Sequence, residues 1–132
     1  MRDELYRELV EVVTMICRGS ADWSHTPASP LAQWRLWARG FCAGLYCRRT
    51  ADRVARVVWQ DAVQSEPMPM LAYAAASAAW AVVHAAEGDE MAARLAARAA
   101  RATMESLARK PARRAVATPS AYAPRSVWRS VR

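Results

Sequence analysis

Apolar side chains recur at steps of three and four along most of this chain, and the steps fall into blocks separated by turn residues. In the first block Leu5, Leu9, Val12, Val13 and Ile16 share one helical face, while Glu4, Arg7, Glu8 and Glu11 cover the other. This predicts a helix over Asp3–Arg18, ended by Gly19-Ser20 and followed by a loop through Pro27 and Pro30 that carries Trp23 and His25. Ser29 is placed to cap a second helix with Pro30 at its first position. Its apolar stripe is Leu31, Trp34, Trp37, Phe41 and Leu45, with Arg35, Arg39 and Arg49 away from it. Gly40 and Gly44, four apart, leave a bare strip on which another helix could approach closely.

Thr50 or Asp52 restarts or continues the helix, with Val54, Val57, Val58 and Ala62 as its buried side and Arg53, Arg56 and Gln60 pointing out. Glu66-Pro67-Met68-Pro69 is a firm break, because two prolines deny helix hydrogen bonds. The next two blocks are dense in alanine, the best helix former and the least bulky. They run from about Met70 to Ala86 and from Glu90 to Leu107, joined by Glu87-Gly88-Asp89. The first is apolar on nearly every side, with Leu71, Ala75, Ala78 and Val82 on one face and Tyr73, Trp80 and Val83 widening it, which predicts a central position. In the second, Asp89 is a good N-cap, and Met91, Leu95, Ala99, Ala102 and Leu107 are expected to face inward. Glu90, Arg94, Arg98, Arg101, Glu105 and Arg109 then form a polar ridge in which Glu90–Arg94 and Glu105–Arg109 are favourable i, i+4 pairs. Small side chains let two such helices lie antiparallel with close backbones. The fold class expected is all-α: a compact bundle of about five helices in one domain, residues 1–110.

From Pro111 the periodicity stops. Residues 111–132 hold three prolines among scattered Ala, Ser and Arg, the composition of a basic tail that is mostly disordered by itself. Arg125-Ser126-Val127-Trp128 and Arg129-Ser130-Val131-Arg132 repeat one pattern, so this end could fold on docking.

Composition sharpens two points. Apolar residues make up 54 % of the chain, enough for one modest core, but much of that is alanine, so six Trp, four Tyr and one Phe must carry the bulk. The net charge of +7 is uneven: Arg94 to Arg132 contains ten basic residues and one acid, Glu105. A basic third suits an acidic partner, although arginine and alanine together also follow from GC-rich coding. Three cysteines, an odd number, argue against a disulfide framework, and a cytoplasmic setting is expected. Residues 67–86 carry no formal charge, but their helical part would span only about 24 Å of a membrane core of about 30 Å, so a buried helix is expected instead.

Chemistry-bearing residues are few. Cys42 and Cys47 are five apart and cannot face one metal from one helix, and the thiols read as buried structural groups. His84, one turn after Trp80, reads as a core histidine. Asp22, Ser24 and His25 are too close in sequence to converge as a triad. No catalytic, cofactor or metal site is expected. The candidate binding residues are Arg94, Arg98, Arg101, Arg109, Arg113, Arg114, Tyr122, Arg125, Trp128 and Arg129, where aromatic groups among arginines can stack on bases or fill a protein pocket.

Residues 74–102, an Ala-rich helix, a Glu-Gly-Asp break and then Ala-Ala-Arg-Leu-Ala-Ala-Arg-Ala-Ala, resemble the bacterial immunity-protein family found beside polymorphic toxins. The resemblance implies an all-helical inhibitor of a cognate toxin. Where that family carries a Gly-His pair, Arg101-Ala102-Thr103 stands here, and residues 111–132 lie outside the likeness. The expected function is that of a non-enzymatic interaction protein, an inhibitor or an assembly subunit. Its partner would be another protein or a second copy, giving an oligomer. The alternative is a nucleic-acid-binding protein of low sequence specificity, with Arg94, Arg98, Arg101, Arg109, Arg113 and Arg114 against phosphates.

Overall fold

The computed structural model describes residues 1–20, 29–64, 68–109 and 116–117. Five helices form: α1 (Asp3–Gly19), α2 (Pro30–Cys42), α3 (Arg48–Val63), α4 (Met70–Ala86) and α5 (Glu90–Arg109). A two-residue antiparallel pairing joins β1 (Met68–Pro69) to β2 (Val116–Ala117), setting part of the expected tail beside the α3–α4 connection. The rest of that tail, with Trp23, His25 and the repeat at Arg125–Arg132, lies outside the described residues. The fold is the expected all-α bundle.

Helix α4 is central, touching each of the other four helices. Its alanines from Ala74 to Ala81 are buried along with Leu71, Val82 and Val83. The cap of α2 is as expected, with Ser29 Oγ accepting from the Ala32 N–H at 3.0 Å ahead of Pro30 at the first helical position. Asp89 Oδ1 accepts from the Ala92 N–H at 3.1 Å, so α5 starts where its cap predicts. Between α4 and α5 the chain reverses on a Schellman turn. Asp89 N–H donates to His84 O at 2.9 Å and Gly88 N–H to Ala85 O at 3.1 Å, with Gly88 at φ +86°.

An aromatic column anchors α2. Trp34, Trp37 and Phe41 are buried, Trp37 stacks on Phe41 at 5.5 Å, and the Trp34 indole N–H donates to the Ala75 carbonyl at 2.7 Å. Tyr6 of α1 joins this column, its hydroxyl donating to Phe41 O at 2.6 Å. On the far side of α4, Trp59 of α3 meets Trp80 at 5.5 Å. All five buried positions expected on α1 are buried. On α3, Val54, Val58 and Ala62 are buried as expected, but Val57 is half-buried and Trp59 takes the deeper place.

Two parts of the sequence reading are corrected. Leu45 is 76 % exposed, because α2 ends at Cys42 and Gly44 turns the chain away at φ +84°. Leu45 N–H donates to Gly40 O at 2.7 Å and Gly44 N–H to Phe41 O at 3.0 Å, a second Schellman turn. Gly40 and Gly44 therefore serve a reversal rather than a helix contact. The inward face of α5 is also not the expected one. Ala93, Ala97, Ala100 and Met104 are buried, Leu107 packs at the core edge, Ala99 and Ala102 are half-buried, and Met91 and Leu95 point to solvent. Over its first half α5 sets only the small Ala93, Ala97 and Ala100 inward, beside the alanine-rich α4, and Met91 and Leu95 turn outward; the larger Met104 is buried only near the far end.

Candidate functional site

The orientation of α5 decides what its ridge can do. Because Ala93, Ala97 and Ala100 face α4, the flank bearing Arg94 and Arg101 turns towards α1. Arg94 Nη1 lies 2.6 Å from Glu8 Oε2, and its Nη2 lies 3.9 Å from Glu90 Oε1, the expected i, i+4 pair. Arg101 Nη2 lies 3.6 Å from Glu11 Oε2. Arg2 adds a bond of 3.1 Å to Glu90. Two of the expected binding arginines thus brace α5 against α1. The acids that hold them sat in the sequence as the solvent face of the first helix.

The stripe of α5 turned away from α4 runs Met91, Leu95, Arg98, Ala102, Glu105, Arg109. Met91 is 75 % exposed and Leu95 59 %, one turn apart. Arg98, Glu105 and Arg109 are exposed and make no ion pair among the described residues. The expected Glu105–Arg109 pair therefore does not close. Arg113, Arg114, Tyr122, Arg125, Trp128 and Arg129 lie outside the described residues. The site that emerges is an apolar pair followed by an arginine, on a helix face covered by no other described element. Sequence reasoning missed Met91 and Leu95 by placing them in the core.

The thiols are corrected too. Cys42 and Cys47 are exposed and Cys17 is half-buried. Burial pushes the Cys17 thiol up, Cys42 pushes it the same way, and Arg35 and Arg39 oppose both. Cys42 Sγ lies 3.9 Å from Thr14 Oγ1. Cys47 occupies the N-cap of α3, with Sγ 3.0 Å from Thr50 Oγ1. The hydrogen bond with the Thr50 hydroxyl is the leading cause that holds its pKa below the ordinary thiol value, with the Arg49 charge helping and desolvation opposing.

His84 is not a core residue. Its side chain is 39 % exposed at the end of α4, with Nδ1 4.0 Å from Glu87 Oε1. Glu87 is also gripped by Arg48, at 2.6 Å from Nη2 and 2.9 Å from Nε, which ties α3 to the α4–α5 turn. An open cleft of about 370 Å³ lies between the C-terminal ends of α1 and α5, lined by Met15, Arg18, Gly19, Met104, Leu107 and Ala108. These lining residues include no carboxylate, histidine or thiol to act as base or nucleophile. Among the described residues no group of three or more His, Cys, Asp and Glu could hold a metal ion, and no helix is long and apolar enough to cross a membrane.

Compared with protein-family models, curated proteins and solved structures, the chain matches none.

Proposed function

We propose that this chain is a non-enzymatic interaction protein that binds a macromolecular partner, another protein or a second copy of itself, through the outward stripe of α5. One observation carries the reading: Met91 and Leu95 stand exposed one turn apart, with Arg98 next along the same stripe. Large apolar side chains gathered on one face, beside a cation, are the usual make-up of a binding hot spot and its rim. Acting as a helical inhibitor of the immunity type or as an assembly subunit, the protein would cover a partner's surface rather than transform a substrate. The basic residues beyond Lys110 would add electrostatic steering.

Affinity capture with the full chain, its Leu95→Glu variant and a version lacking residues 111–132 tests the proposal. A partner whose recovery falls at least about tenfold with Leu95→Glu supports it. A partner retained equally by Leu95→Glu contradicts the assignment of the stripe. In parallel, the full chain is titrated with a duplex DNA and a single-stranded RNA at low salt. Tight binding that weakens steeply with salt would favour the nucleic-acid reading instead. That reading is disfavoured here because Glu8, Glu11 and Glu90 already occupy Arg94 and Arg101.

A further inference from the structure

We infer that the outward stripe of α5 pairs with its own copy: two chains associate antiparallel, α5 against α5, about a two-fold axis passing near Ala102. The inference rests on the proposal that this stripe is a binding surface, and it names the occupant.

The charges select the arrangement. Arg98 and Glu105 are both exposed, and neither makes an ion pair among the described residues, whereas Glu8, Glu11, Asp52, Glu87 and Glu90 are all engaged. They stand two helical turns apart, about 10 Å along the axis. At 100° per residue they also fall on the same side of the stripe, 20° from one another about the helix axis. A two-fold axis perpendicular to the helices keeps each residue on its own side and inverts its height. With that axis between positions 101 and 102, Arg98 comes over the partner's Glu105, and the partner's Arg98 over Glu105. One surface thus supplies two reciprocal ion pairs, the self-complementarity that a two-fold interface requires. A parallel pairing in register would set arginine against arginine.

Size and shape agree. Ala102, half-buried at the centre, is small enough for the helix axes to approach to about 8 Å. Leu95 would cover the stem of the partner's Arg109, removing exposed apolar surface. A stripe about 30 Å long and about 10 Å wide buries on the order of 300 Å² per chain, well short of the roughly 800 Å² of a standard stable interface. The association is therefore weak and reversible, and concentration controls it.

Sedimentation velocity of the full chain, from about 10 µM to about 1 mM at low ionic strength, tests the pairing. The sedimentation coefficient should rise with concentration from monomer towards dimer. Arg98→Glu and Glu105→Arg, each setting like charges face to face, should weaken association at least about tenfold, and the double reversal should restore it. Circular dichroism of each variant checks that helix content is kept; should a reversal unfold the chain, Arg98→Gln and Glu105→Gln replace it, and either should weaken association without repulsion. A chain that stays monomeric throughout would overturn the inference, and so would self-association untouched by both single changes. A monomer that still captures another protein through Leu95 would sink the pairing alone, leaving the proposed function standing.

Discussion

Arg94 Nη1 reaches Glu8 Oε2 at 2.6 Å across the seam between α5 and α1, joining positions 86 residues apart. Both side chains are less than a third exposed, so the pair is screened less than an open surface bridge. It turns a row of arginines that reads as a binding ridge into part of the scaffold. Glu8→Gln is expected to lower unfolding free energy by about 0.5–1 kcal/mol. In urea titrations Arg94→Ala should cost a similar amount. The double variant should lose less than the sum, because each single change already breaks the same contact.

The two tryptophans of α2 differ in one respect that can be measured. The Trp34 N–H is bonded to the Ala75 carbonyl, while the buried Trp37 Nε1 has no hydrogen-bond partner. Replacing either by phenylalanine removes the same volume, but only Trp34→Phe also removes a hydrogen bond. Trp34→Phe should therefore destabilise by about 1 kcal/mol more than Trp37→Phe. Thermal melts of equal depth would contradict the distinction.

Packing between α4 and α5 depends on alanine. Ala97 is 1 % exposed against a wall of small side chains. Ala97→Leu should cost about 1–3 kcal/mol by overpacking, more if the helices must part. Met91→Ala, on the open side of the same helix, should change stability by no more than about 0.5 kcal/mol. Were Met91 in the core, its loss would cost about 2–5 kcal/mol.

Thiol reactivity should rank by environment. Cys47 has its pKa lowered by Thr50 and Arg49, while burial raises that of Cys17. A lower pKa means a larger thiolate fraction at any pH below it, so single-cysteine proteins at neutral pH should be alkylated faster at Cys47 than at Cys17. Thr50→Ala removes the leading stabilising bond and should move the alkylation profile of Cys47 to higher pH. A profile left unmoved would show that the hydroxyl is not what holds the thiolate.

Where the sequence carried strong contrast, the fold could be read from it. In α1, bulky aliphatic residues alternate with charges, and its buried face follows position by position. Ser29, Pro30, Gly88 and Asp89 mark their turns by backbone chemistry that few other residues supply. Helix α5 lacks that contrast. Eight of its twelve apolar residues are alanine, so hydrophobicity favoured Met91 and Leu95, whereas the controlling quantity was the space left beside the alanines of α4. That quantity belongs to the assembled pair and to neither segment alone. The exposed stripe was illegible for the same reason, since its apolar members read as core residues. The bracing of Arg94 and Arg101 depends on acids of α1 that only the tertiary fold brings near. The thiols were misplaced because α2 stops at Cys42, leaving Cys42 and Cys47 on either side of an exposed turn.

The orientation of α5 underlies both the proposed surface and its pairing, and site-by-site labelling measures it. In a background with Cys17, Cys42 and Cys47 changed to serine, single cysteines at positions 91, 95, 98, 93, 97 and 100 are reacted with a maleimide at protein concentrations low enough to keep chains apart. Positions 91, 95 and 98 should react within about tenfold of the unfolded chain. Positions 93, 97 and 100 should be protected by at least about a hundredfold, since they react only when the helix opens. Protection at 91 and 95 with free reaction at 93 and 97 would contradict the account.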